Sequence, residues 1–441
     1  MNIQNFSQPS ASIGSKPGSF RSKRFNYRAA LEPVRIEGLC RVFGSLTRSR
    51  GDFPMASWSP AAGPKREVTV WCTHDYLGQG QNALVIAAMQ RAIDYSGSGS
   101  GGTPAVSGAT EQHLTLESEL ADLHGKAAAL VFTSGYLANE ATISALRRLI
   151  PGLITFTDEF AEPSTAPTVG NEGSSRKVFR HGDLEHLEWL LRGAPTNAPK
   201  LVALESVCWA DGGIADIGSA TRVAKTYGAL SYLDESHAVG MYGATGGGIS
   251  ERDALQDEVD IIEGSLGKAF GVMGGYVAGD TVLVDAVRLH AAGFISTTSL
   301  PPVLSAGALA SVRWLKRRNE IREQHRERVT ALRARLFSAG LLVPPGCCSH
   351  IVPVRVGDPV RCQEVSKALL SDHRIIARWT NSPAVGGADH LRFTPTPFHT
   401  DLMMEDLIRA LKDLWDRFEL GSQHNLNDLQ HGCHADSRRA A

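Results

Sequence analysis

Between residues 128 and 278 the chain alternates short apolar runs with amphipathic stretches, and this limits its possible folds more than any other feature. Ala128–Phe132, Leu153–Phe156, Lys200–Leu204, Ala229–Leu233, Ile261–Glu263 and Tyr276–Ala278 read as strands. Helical spacing appears over Leu114–Leu123, Asn139–Leu149 and Leu184–Leu191. Strands alternating with helices imply a mainly parallel sheet covered on both faces, hence an α/β fold with a large sheet domain. Past Pro301-Pro302 the texture changes. Ala306–Phe337 reads as one long helix, followed by strand-like Ile351–Val356, a helical pattern around Val365–Leu370, a strand at Leu391–Thr394 and a last helix over Met404–Phe418. These predict a second, smaller α+β domain. The expected division is a basic leader over 1–35, an N-terminal segment over 36–95, the large domain over 96–305, the small domain over 306–420 and a tail over 421–441.

Composition excludes several classes. Net charge is −1 over 441 residues, so no global field attracts nucleic acid or an anionic membrane. No apolar run approaches the ~18–20 residues of a membrane helix. Seven scattered cysteines do not resemble a disulfide framework and point to a reducing compartment. Adjacent Cys347-Cys348 do not match zinc spacing. The first 31 residues carry Lys16, Arg21, Lys23, Arg24 and Arg28 without an acid. A disordered leader, in a cytoplasmic protein, is the preferred reading; a transit peptide addressing the mitochondrial matrix is the alternative. His424, His431, Cys433 and His434 in the polar tail read as a frayed terminus before a metal site.

The chemistry is concentrated in two places. Asp234 and His237 follow the apolar run Ala229–Leu233, and Lys268 stands in a small-residue turn after Ile261–Glu263. Taken singly, the acid is an ordinary strand end and the lysine an ordinary loop lysine. Together, at the edge where open α/β sheets bind ligands, they suit pyridoxal phosphate. That cofactor needs a carboxylate against its pyridine nitrogen and a lysine to form a Schiff base with its aldehyde.

Two glycine-rich segments add to this. Gly97-Ser-Gly-Ser-Gly-Gly-Thr103 follows a helical pattern, which weakens a dinucleotide reading and favours a flexible active-site loop. Ser134-Gly135-Tyr136 lies between a strand and a helix. Backbone N–H groups there can cradle a phosphate; a plain capping serine is the equal alternative.

The ordered set of motifs from about residue 36 to 420 resembles the α-oxoamine synthases, fold-type I pyridoxal-phosphate enzymes. The matching stretches are Trp71-Cys-Thr-His-Asp75-Tyr-Leu-Gly, the Gly97–Thr103 loop, Phe132-Thr-Ser-Gly-Tyr136, Phe-Arg-His181, Glu205-Ser206-Val, Asp234-Glu-Ser-His237, Ser265-Leu-Gly-Lys268, Thr297-Thr298-Ser-Leu-Pro-Pro, Ser-His350-Ile-Val-Pro-Val and Leu-Arg392-Phe-Thr-Pro. The similarity is strongest to members that condense glycine with succinyl-CoA. It implies roles. Lys268 forms the Schiff base and removes the glycine α-proton, Asp234 pairs with the pyridine nitrogen, and His237 bonds the ring hydroxyl. Ser134, Gly135, Tyr136 and Ser265 hold the phosphate, with Thr297 and Thr298 reaching in from a second subunit of an obligate homodimer; Ser206 also belongs to the cofactor site. Arg392 clamps the amino-acid carboxylate, while Arg41 and Thr103 grip the succinyl carboxylate. Surface ion pairing is the ordinary alternative for both arginines.

Departures from the family pattern cluster on the substrate side. Glu162 stands where the family stacks a histidine on the cofactor ring, and it should titrate upward or seek a cation. His74 replaces an asparagine, Pro104-Ala105-Val106 replaces Arg-Asn-Ile, Cys208-Trp209 replaces Tyr-Ser, and Ala384 replaces a threonine. Three functions fit: a synthase of 5-aminolevulinate, a related enzyme with an altered acyl donor, amino acid or outcome, or a silent regulatory homologue. Retention of Lys268, Asp234 and Arg392 argues against the last.

Overall fold

The computed structural model describes residues 44–60, 63–165, 175–344, 346–380 and 390–420. The basic leader, Arg41, Ala384 and the polar tail lie outside them.

The chain opens with an antiparallel meander of β1 (Ser45–Thr47), β2 (Met55–Ser59) and β3 (Arg66–Val70). Ile375–Ile376 pairs parallel to β3 and joins this meander to the segment that follows the helix over Pro359–His373. Helix α1 (Ala83–Ser96) begins at Asn82, whose side chain accepts from the Leu84 N–H. Helix α2 (Glu111–Leu123) follows, and both pack against a helix over Pro302–Lys316.

The central sheet contains β4 (Ala128–Phe132), β5 (Ile154–Asp158), β6 (Ser175–Phe179), β7 (Lys200–Glu205), β8 (Ala229–Asp234), β9 (Ile261–Ser265) and β10 (Gly275–Gly279), in the order β4-β10-β9-β8-β7-β5-β6. Strands β5 to β9 are parallel, and β10 runs antiparallel between β9 and β4. Side chains alternate between two cores. Leu201 and Ala203 join Tyr232 and Ile261 on one face; Val202 and Leu204 join Leu233 and Ile262 on the other. Burial on both faces is why these strands read as continuous apolar runs. Strand β6, Ser-Arg-Lys-Val-Phe, escapes that signal because it is a charged edge strand.

The long helix expected over 306–337 is two helices, Pro302–Lys316 and Asn319–Ser338. The break at Arg317-Arg318 is held by buried Arg322, which donates to the Leu315 carbonyl at 2.7 Å and to the Ala244 carbonyl at 2.5 Å. A helix end leaves such carbonyls unpaired, and the guanidinium satisfies one. The second core combines a three-stranded antiparallel sheet, β11 (Val352–Arg355) beside Arg378–Thr380 and His390–Phe393, with helices Pro359–His373 and Asp401–Arg417. Trp71, Leu336, Leu369, Phe393 and Leu411 fill it.

Candidate active site

Three neighbouring parallel strands carry acids in one register, at the ends of β7 and β8 and in the middle of β9. Glu205 pairs with Asp234, and Asp234 with Glu263. Neighbouring strands lie only ~4.8 Å apart, so this row of carboxyls cannot be fully ionised in a buried setting. Burial, then the Asp234 charge, pushes the Glu263 carboxyl well above the usual carboxylate range.

Asp234 is 1 % exposed and accepts two hydrogen bonds. Asn139 Nδ2 donates to its Oδ2 at 2.8 Å, and the Ser236 backbone N–H donates to Oδ1 at 2.8 Å. Asn139 is oriented by the Tyr232 hydroxyl at 2.7 Å. Asn139 lies one turn into helix α3 (Gly135–Leu149), so the helix that offers its N-terminus to an anion also fixes the acid. Ser134 caps α3, its hydroxyl accepting the Leu137 N–H at 3.1 Å. A Cβ on Gly135 would lie 3.0 Å from Glu263 Oε1 and 3.4 Å from the Ser265 side chain, and Gly275 needs its backbone close as well. The glycine therefore keeps the helix start open toward Ser265. Tyr136 is exposed.

Lys268 lies in the hairpin joining β9 to β10, where its carbonyl accepts the Gly271 N–H at 2.9 Å. Gly271 has φ +67°, and a side chain there would strike the Gly80 N–H at 2.2 Å; the lysine turn is clamped onto the 78–81 segment. The Lys268 charge reaches His237, His350, Glu205 and Glu263, whose titration it biases.

His237 is held neutral, chiefly by burial and then by the charges of Lys268 and Arg392. Its tautomer follows from its partners. Arg392 Nη2 donates to the Tyr76 hydroxyl oxygen at 3.4 Å, and that oxygen lies 2.7 Å from His237 Nδ1. A guanidinium can only donate, so Tyr76 accepts from Arg392 and gives its hydrogen to Nδ1. The imidazole N–H is left on Nε2, 3.8 Å from Glu162 Oε1. Arg392 is 2 % exposed, its Nε has no hydrogen-bond partner, and among the described residues it has no carboxylate partner. A buried unpaired guanidinium is costly by itself and suits an incoming carboxylate.

Glu162 does not find the cation expected for it: among the described residues it makes no ion pair with Lys or Arg. Its side chain stays 33 % accessible, beside neutral His237 and Glu205. Trp209 donates its indole N–H to the Phe160 carbonyl at 2.8 Å, tying the Glu162 loop to the segment after β7. Phe160 stacks on His181 with centroids 4.1 Å apart and an interplanar angle of 7°. Burial alone would lower the His181 pKa, but hydrogen bonds to Asp158 (2.8 Å) and Asp211 (3.2 Å) outweigh it and push it up to about 10. The ring thus bridges two acids, with Cys208 nearby. Ser206 donates its hydroxyl to buried Glu235 at 2.5 Å and acts as a brace.

The remaining residues lie elsewhere. Thr297 and Thr298 line an apolar cavity of about 380 Å³ with Pro104, Phe132 and Leu300; Asp234, His237 and Lys268 are not among its walls. The glycine-rich loop is pinned rather than loose: Ser299 N–H donates to the Gly102 carbonyl at 3.0 Å and Ser100 Oγ to the Ser299 carbonyl at 3.1 Å. After it, Pro104–Gly108 winds as one π-turn on the Thr103 carbonyl. His74 is exposed, its ring 6.4 Å from that of His237. Tyr76, Asn139, Glu205 and Glu263 were given no role from sequence, although Tyr76 and Glu205 stand inside matched motifs and Asn139 is a polar residue one turn into α3.

The donor set fits pyridoxal phosphate: a helix N-terminus with two serines for an anion, an oriented buried carboxylate for a ring nitrogen, and a lysine whose charge acts on the groups around that carboxylate. Comparison with known proteins agrees. The family model described as "Aminotransferase class I and II" matches residues 66–411. The chain is 48% identical over 393 residues to 5-aminolevulinate synthase 1 of Cereibacter sphaeroides, covering 89% of this chain and 96% of that one. It is 46% identical over 403 residues to 5-aminolevulinate synthase of Paracoccus denitrificans, covering 90% and 98%. A serine palmitoyltransferase from S. paucimobilis, solved with a bound PLP–myriocin aldimine, superposes with a TM-score of 0.81 at 28% identity, covering 89% of this chain and 97% of that one. The chain belongs to the class I and II aminotransferase family and, within it, to the α-oxoamine synthases beside the 5-aminolevulinate synthases.

Proposed function

We propose that this protein is a pyridoxal-phosphate-dependent acyltransferase that condenses glycine with succinyl-CoA, releasing CoA and CO2 and yielding 5-aminolevulinate. The observation that carries this reading is identity of 46–48% to two 5-aminolevulinate synthases across about nine-tenths of the chain. The bound cofactor provides an electron sink for the glycine α-carbon. The chain's own residues do the rest. Asp234 keeps the ring nitrogen protonated, held in place by Asn139 and the Ser236 N–H. Lys268 anchors the cofactor and takes the α-proton at its Nζ. His237 presents its Nε2–H to the ring hydroxyl. Ser134, Gly135, Tyr136 and Ser265 hold the phosphate. Arg392 binds the glycine carboxylate with a two-pronged fork that a lysine cannot reproduce.

The domain boundaries expected from sequence belong to this reading, as does a homodimer in which Thr297 and Thr298 serve the partner's site. Supporting the dimer, Leu114 and Leu289 are exposed on the walls of the cavity that those threonines line. A changed acyl group is a second reading, favoured by Trp209 at the Glu162 loop and by the Pro104–Gly108 turn. Mass spectrometry of products from labelled glycine and a panel of acyl-CoAs separates the two. Preferred formation of 5-aminolevulinate from succinyl-CoA supports the first; a different aminoketone made in preference supports the second.

A further inference from the structure

We propose that Glu162 and Glu205 form a carboxyl pair that keeps one proton, carried on Glu205, beside the reacting centre and provides the proton that Lys268 cannot. The inference rests on the condensation proposed above. Its geometric basis is that a carboxylate oxygen of Glu162, one of Glu205 and a ring nitrogen of His237 all lie within 4.8 Å of one another. Glu205 Oε1 is buried and has no hydrogen-bond partner, and its Oε2 receives only the Trp209 N–H at 3.4 Å. Asp234 stands in register on the adjacent strand. The groups facing the pair are therefore Asp234, His237, Lys268 and Cys208, with Glu263 one strand further on. His237 is neutral, leaving Lys268 as the one cation acting on Glu205 against two neighbouring acids. Two carboxylates this close, with so little compensation, are not both ionised, and Glu205, flanked by two acids, is the one that keeps a proton. In agreement, burial and then the charges of Asp234 and Glu162 push the Glu205 carboxyl well above its ordinary range. Both acids are partly buried, with Glu205 Oε1 enclosed and the Glu162 side chain one-third accessible, so the pair is in reach of water through Glu162.

The reaction requires such a donor. Forming the new C–C bond removes one hydrogen from the glycine carbon. Breaking the C–CO2 bond returns a proton to that carbon. Breaking the C–S bond leaves its electron pair on sulfur, and the thiolate takes a second proton. One proton is released and two are taken up, so each turnover draws one from solvent. Lys268 accounts for the release and one return. The carboxyl pair protonates the departing sulfur, becomes doubly ionised, and regains its proton from water through Glu162.

The test is infrared difference spectroscopy on the cofactor-free protein, with pH–rate profiles of the loaded enzyme. The wild-type minus E205Q spectrum should contain a protonated-carboxyl stretch at neutral pH. In E162Q that band should titrate about one pH unit or more lower, because a repelling charge is gone. The alkaline limb of kcat should move down with it, and E162D should move it back. A missing band, or a band whose titration ignores E162Q, overturns the pair. A band that behaves as expected with an unmoved alkaline limb overturns the relay. The infrared arm involves no substrate, so it stands or falls separately from the identity of the product.

Discussion

The acid at 234 works only because another side chain aims it. Asn139 contributes a hydrogen bond to a buried carboxylate, worth ~1.5–3 kcal/mol where one partner is charged. Asn139→Ala should therefore weaken pyridoxal-phosphate affinity about tenfold or more while the fold persists, as read by cofactor titration of the apoprotein. Unchanged affinity would mean that Asp234 needs no help. Arg392 is the counterpart on the substrate side, buried with an unpaired Nε. Arg392→Lys keeps the charge and loses the fork, so KM for glycine should rise about tenfold or more with a smaller change in kcat. At this scale the sequence was informative about residues that do chemistry and silent about those that orient them. Asp234, His237, Lys268 and Arg392 sit in short local patterns. Asn139 and Tyr76 matter because of partners 95 and 161 positions away, and no local pattern records that.

Among elements, the β7–β8–β9 edge organises the site, and two loops after it set its shape. The Phe160–Glu162 loop is fixed by the Trp209 indole and by the stack of Phe160 on the His181 imidazolium. That stack is pH-dependent. His181 has a folded-state pKa of about 10, raised from an ordinary 6.5, so its contribution is full below 6.5 and is lost as pH rises toward 10. His181→Asn should accordingly lower the melting temperature most near pH 6, with the gap to wild type narrowing at alkaline pH. A gap that widens with pH would contradict the imidazolium assignment. The strands were legible because both faces are buried. Edge strand β6 was not, since its exposed Arg176 and half-buried Lys177 carry no apolar signal. Nor was the break at Arg317-Arg318, because it depends on Arg322 capping a carbonyl seven residues back and on the Ala244 carbonyl 78 positions away.

At the scale of the whole molecule, one chain brings together the anion cradle, the acid, the lysine and the arginine, but not Thr297 and Thr298. If a partner subunit contributes those threonines, inactive variants should complement. Mixing Lys268→Ala with Thr297→Ala/Thr298→Ala, then unfolding and refolding together, should restore activity in hybrid dimers that hold one intact site. Mixtures as inactive as their components would show that each chain builds its site alone. The family and the architecture were readable from ordered motifs spread over the chain. A homodimer was expected from the resemblance alone, because exposed apolar surface looks ordinary in sequence.

The central claim is that Lys268 carries the cofactor. Borohydride reduction of the holoenzyme followed by peptide mapping tests it most directly. A phosphopyridoxyl group on the peptide containing Lys268, absent from Lys268→Ala, is the expected result; a label on any other lysine, or none, would contradict the account.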